Sequence, residues 1–166
     1  AAYAARMEAF ITISSCKKYT MGETNMSSER VMANKNYVVS DSYVSTYYLS
    51  YATGLNAGTT TKGGHCCVVT ATKDGLTNVV VVMNVGSKED DSTNYAFKDA
   101  KTLMQWSYSN YGYEKVLTHS EIVCEIPVSM SAEVDHVALL PGEDVYLYLP
   151  QDADIENDVA RSYELT

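Results

Sequence analysis

With 166 residues, 46% hydrophobic and 20% charged, the chain can build one ample core or two small ones, and nothing in this composition marks it as disordered or fibrous. Its formal charge of −9 is uneven: residues 1–113 hold ten Lys/Arg against nine Asp/Glu, and residues 114–166 hold two against twelve. That imbalance excludes phosphate backbones and anionic lipid headgroups as electrostatic partners of the second half, and no basic patch with interleaved aromatics occurs in the first.

In chain order, Ala1–Phe10 is rich in helix formers but has no cap before it, as expected for the tail of a helix. Ile11–Asn25 alternates loosely and predicts an extended segment with a turn at Met21-Gly22. Gly54, Gly58, Gly63 and Gly64 punctuate a Thr-rich run, where a backbone can come close to a neighbour or a ligand. Next, β-branched residues fill much of His65–Thr72 and Leu76–Val85, and Lys73-Asp74-Gly75 between them predicts a tight β-hairpin.

Ser92–Tyr111 spaces Ala96, Ala100, Leu103, Met104, Ser107 and Tyr111 as one face of a helix; Asp91, Ser92 or Thr93 would cap it and Gly112 would end it. Beyond Glu114, short apolar runs at 116–117, 122–128, 137–140, 145–149 and 159–165 alternate with acidic or Pro/Gly turns. They predict a small β-sandwich or barrel. The charge step and Gly112 place a boundary between residues 1–113 and 114–166, with the two units meeting near Tyr113–Thr118.

The run Tyr51–Leu76, YATGLNAGTTTKGGHCCVVTATKDGL, resembles the third active-site motif of serine D-alanyl-D-alanine carboxypeptidases, the low-molecular-weight penicillin-binding proteins. Their pattern is G-[IL]-K-T-G-x-T-x-x-A-G-x-C-L-V-A-T-A-x-[KR]-D-G, matched at Gly54, Leu55, Gly58, Thr60, Gly64, Cys66, Val68, Thr70, Ala71, Lys73, Asp74 and Gly75. The Lys and Thr of the Lys-Thr-Gly triplet fall on Asn56 and Ala57. The likeness continues elsewhere. Ile13, Ser15, Tyr19, Thr20, Thr24 and Asn25 match I-V-S-T-x-x-Y-T-x-x-x-T-N, and Arg30–Asn36 is similar to R-x-L-x-N-T-N. Phe97, Asp99, Ala100, Lys101, Leu103 and Trp106 match F-x-D-A-K-x-L-L-x-[WY], and Leu140–Pro150 resembles V-P-x-E-D-V-x-x-x-L-P.

The resemblance implies an α/β (α+β) chain. It would comprise the antiparallel hairpin and packed C-terminal helix of a penicillin-binding/β-lactamase-like domain (1–113), then a small, incomplete all-β domain (114–166). The implied reaction is acylation of a serine by a peptidoglycan stem peptide with release of D-alanine, followed by hydrolysis. The implied setting is the outer face of the cytoplasmic membrane, with stem peptide or β-lactam as ligand; no signal peptide or anchor occurs in the chain.

Such chemistry needs S-x-x-K, S-x-N and K-T-G in that order. Ser14 with Lys17, and Ser15 with Lys18, satisfy the first spacing but lie in a segment expected to be extended and too close to the third motif. Ser92-Thr93-Asn94 follows the third motif, so helix capping is its expected role. No residue is therefore assigned as catalytic, and the chain alone is expected to be inactive. Asn56, Ala57, Gly58 and Thr60 form a degenerate substrate-binding motif, with His65, where the family commonly has Tyr, as a possible pocket residue. The alternative is a noncatalytic peptidoglycan- or protein-binding module on the same fold, and a spacer is a third reading. An upstream segment or second chain is a further possible partner. No cofactor and no metal are expected: Cys16, Cys66, Cys67 and Cys124 lack C-x-x-C spacing, and His119 and His136 lack partners at ligand spacing. Fourteen tyrosines leave open a saccharide-stacking surface, although strand propensity also accounts for them.

Overall fold

β-branched residues and an Asp-Gly turn build the centre of the fold. In a computed structural model describing residues 1–87, 92–162 and 164, β4 (Gly64–Lys73) and β5 (Leu76–Val85) pair antiparallel. Between them Asp74 and Gly75 have φ of 51° and 78°, the positive angles that a tight two-residue hairpin loop requires. β3 (Ala52–Thr60) pairs antiparallel with the other side of β4, so the sheet order is β3-β4-β5 and β3 lies at an edge.

One face of this sheet makes the core. Cys67, Val69 and Ala71 alternate inward along β4 and pack with Val38, Tyr47 and Leu49 and with Ala96, Phe97, Ala100 and Met104 of helix α2 (Tyr95–Asn110). The Tyr108 hydroxyl fastens the helix to the hairpin, 2.6 Å from the Ala71 carbonyl and 3.0 Å from that of Leu76. The buried stripe differs from the expected one: Phe97 is inside, its ring tilted against those of Tyr37 and Tyr47, whereas Leu103 is 47% exposed. The cap is Asn94 rather than Ser92 or Thr93, because its Oδ1 accepts from the amides of Ala96 and Phe97; the third candidate, Asp91, lies outside the described residues. The helix ends at Asn110, and Gly112 belongs to the next strand.

The N-terminal segment corrects another expectation. Ile11–Ser14 is not extended but forms the second half of α1 (Glu8–Ser14), after a 3₁₀ turn at Ala4–Arg6. The alternation Ile-Thr-Ile-Ser is too short to exclude a helix, and the Thr12 hydroxyl is satisfied by the Glu8 carbonyl one turn back. The chain becomes extended only at β1 (Lys18–Met21), which pairs with β2 (Arg30–Ala33).

The chain divides into two compact units, Ala1–Tyr108 and Ser109–Thr166, ahead of the charge step after Tyr113. The second unit holds two separate antiparallel ribbons, β6 (Tyr111–Leu117) with β9 (Val145–Pro150) and β7 (Cys124–Pro127) with β8 (His136–Leu139). It is not the sandwich or barrel expected. The last apolar run is no strand where it is described (159–162 and 164); it follows a short helix, α3 (Ile155–Asp158), capped by Asp154. Arg161 instead spends its guanidinium on Glu121 and on the Val116 carbonyl, each at 2.6 Å.

An ion cluster ties β6 to the start of β9. Asp144 accepts from the Lys115 ammonium at 2.6 Å and from the His119 amide and ring, both at 2.8 Å. These bonds, with Lys115 foremost, hold the Asp144 carboxyl well below the usual carboxylate range. A depressed carboxyl contributes stability above its unfolded pKa of about 3.9 and loses it as pH falls. Stability is therefore expected to begin falling below about pH 4 and to keep falling as pH drops toward the depressed folded-state value, followed by urea unfolding at stepped pH. Asp144→Asn should abolish that component of the acid transition. An identical acid transition in the variant would refute it.

Candidate functional site

The third-motif residues lie on β3, at the sheet edge. Asn56 pairs with Val68, Ala57 with Cys67 and Gly58 with Cys66. Because side chains alternate along a strand, residues 56 and 57 point to opposite faces. Ala57 packs against the buried core cluster, while Asn56 is exposed. Asn56 borders an open depression of about 360 Å³ that it shares with Gly58, Cys66, Val68, Val81 and Met83. Gly58 is free of internal constraint: a Cβ built there meets no atom within 4 Å. Gly54, two turns of the pleat earlier, is buried at φ +147°, and a Cβ there would collide with the Ser14 hydroxyl.

Thr60 is committed to the loop between β3 and β4, where its hydroxyl accepts from the Gly63 amide at 2.9 Å. His65 is pinned between two hydroxyls, Nδ1 to Thr59 and Nε2 to Ser87, each at 2.8 Å. It lines a depression of about 430 Å³ together with Lys35, Tyr37 and Asn94. Thus Asn56, Ala57, Gly58 and Thr60 all border one opening, Ala57 and Gly58 also border the one that His65 lines, and the Thr60 hydroxyl serves the turn.

The Ser–Lys spacings do not make nucleophilic pairs. Ser14 closes α1 instead of opening a helix, and its hydroxyl donates toward the Ile11 and Thr53 carbonyls at 3.3 and 3.4 Å. Lys17 instead bonds the Tyr48 hydroxyl at 2.9 Å and Asp41 at 3.3 Å. The Tyr48 bond, and then Asp41, hold its ammonium above the ordinary lysine range, the opposite of what a general base needs. The Ser15 hydroxyl turns back to the Thr12 carbonyl at 3.3 Å. Cys67 is no substitute nucleophile, since burial pushes its thiol up to about 11. Among the described residues no three His, Cys, Asp or Glu side chains form a metal-binding group.

Two features of this region escaped the sequence. The Lys17–Tyr48–Asp41 contact joins residues up to 31 positions apart, without a local pattern to announce it. Thr59 as the partner of His65 was in principle accessible, because the two face each other across the β3–β4 register.

No family profile and no curated protein matches this sequence. Among solved structures, a peptidoglycan synthesis regulatory factor (PBP3) from Streptococcus pneumoniae superimposes over 92% of this chain with a TM-score of 0.63 at 21% identity. Penicillin binding protein 6B from Escherichia coli superimposes over 90% with a TM-score of 0.53 at 16% identity. The chain spans only 40% and 35% of those two proteins.

Proposed function

From a fold shared with part of two penicillin-binding proteins, we propose that this chain carries, in altered form, the substrate-binding strand of a D-alanyl-D-alanine carboxypeptidase-like protein, and that it does not itself acylate. It corresponds in this reading to the C-terminal part of such a protein, with residues 1–113 from the catalytic domain and 114–166 from the β-domain. Its ligand is a peptidoglycan stem peptide or a β-lactam, met outside the cytoplasmic membrane. The observation that carries the reading is the geometry of β3: the third-motif residues lie on a strand at a sheet edge, with Asn56 and Gly58 bordering an open depression. The second half of the proposal is supported by Ser14 and Ser15, whose hydroxyls bond backbone carbonyls and not a lysine.

Diacetyl-L-Lys-D-Ala-D-Ala tests both halves. The expected result is no D-alanine release above the spontaneous rate, together with saturable NMR shifts at Asn56–Thr60. Release would overturn the noncatalytic half, and absence of shifts on β3 would overturn the substrate strand. Retention of the chain on purified peptidoglycan with β3 silent to the peptide would favour the noncatalytic binding module in its place.

A further inference from the structure

The second unit places four tyrosines on one side of a ribbon. Tyr111 and Tyr113 alternate along β6, Tyr146 and Tyr148 alternate along β9, and the register sets Tyr113 opposite Tyr148 and Lys115 opposite Tyr146. All four rings therefore share one face. Tyr148 lies 5.6 Å from Tyr111 and 5.9 Å from Tyr113 between ring centroids. A ribbon that used these rings as core would cover them, yet Tyr113, Tyr146 and Tyr148 are 55%, 50% and 40% exposed. Contiguous exposed aromatic surface of this kind marks a binding face.

Charge decides what kind of ligand fits. Residues 109–166 hold two basic side chains and twelve acidic ones, so a polyanion or an anionic membrane surface is repelled. The cation on this face, Lys115, is neutralised by Asp144 at 2.6 Å and lies over the Tyr146 ring. What the face offers is flat rings edged with hydroxyls. That surface complements pyranose sugars, whose C–H faces stack on aromatic rings and whose hydroxyls bond to tyrosine oxygens. We infer that the tyrosine face of β6–β9 is a stacking platform for an uncharged glycan chain. It is independent of the reading of β3 and stands or falls separately.

The test titrates the full chain with chitotetraose, an uncharged β-linked N-acetylglucosamine tetramer, and follows amide and tyrosine ring signals by NMR. The expected result is saturable shifts confined to Tyr111–Lys115 and Tyr146–Tyr148. The variant Tyr113→Phe/Tyr148→Phe keeps the rings and loses only hydroxyl bonds at their edges, so it should lose about fivefold, whereas Tyr113→Leu/Tyr148→Leu keeps apolar bulk but no ring and should lose about thirtyfold or more. The wild-type shift map stands as a test even if the leucine variant fails to fold. No response at ~5 mM sugar, a response centred elsewhere, or equal binding by the leucine variant would overturn the inference. Response of the same residues to phosphatidylcholine vesicles but not to the sugar would also overturn it, in favour of a lipid surface.

Discussion

Replacing Gly54 with alanine is expected to destabilise residues 1–108 by about 2–4 kcal/mol, lowering the melting temperature by roughly 10–20 °C. Two causes act together. At φ +147° an L side chain is strained, and the new methyl would overlap the Ser14 hydroxyl, which packs from the end of α1. Gly58→Ala, four residues along the same strand, should instead leave stability unchanged or raise it by about 0.5–1 kcal/mol, since its Cβ meets open space. Urea unfolding of the two variants beside the parent checks the contrast. Equal effects would mean that α1 does not pack against Gly54 in solution. The contrast also bears on function: the packing of the chain itself demands glycine at 54 but not at 58, so openness at 58 is available for a ligand.

Asn56→Lys is expected to raise affinity for a peptide ending in a free D-alanine carboxylate by about tenfold. The side chain at 56 is exposed on the edge strand, and among the described residues no carboxylate lines the depression it borders with Cys66, Val68, Val81 and Met83. Solvent screening keeps the gain toward the low end for a charge-assisted hydrogen bond, and added salt should erode it. Ala57→Thr should add little, because residue 57 points toward the core cluster. Isothermal titration with the peptide acid and its C-terminal amide separates the causes. An equal gain for the amide would refute the carboxylate clamp at this position.

Much of this arrangement is legible in the sequence for identifiable reasons. The hairpin follows from β-branched runs around Asp74-Gly75, whose turn geometry few other residue pairs support. The helical stripe could be placed only in part. Ala96, Ala100 and Met104 lie inside as their spacing predicts, but Phe97 displaces Leu103 because Tyr37 and Tyr47, distant in sequence, supply its aromatic partners. Four residues in a row, Asp91 to Asn94, are good caps, and sequence alone cannot choose among them. In the structure the hydroxyl of Tyr47 holds the Asn94 amide at 2.9 Å, while the Asn94 side chain turns to the helix. The end of the β-unit is less legible, because a short run such as Val159–Leu165 carries too little periodicity to show that its described residues form no strand and that Arg161 is held by Glu121 and the Val116 carbonyl. At the site, the opposite facing of Asn56 and Ala57 follows from strand periodicity. The commitment of Thr60 to Gly63 depends on the turn and was not readable beforehand.

The central claim is that a carboxypeptidase-like substrate strand persists here without a serine able to use it. Intact-mass spectrometry of the denatured chain after incubation with benzylpenicillin tests it most directly. The account predicts the unmodified mass. An adduct of one penicilloyl group that is lost in Ser14→Ala/Ser15→Ala would contradict it.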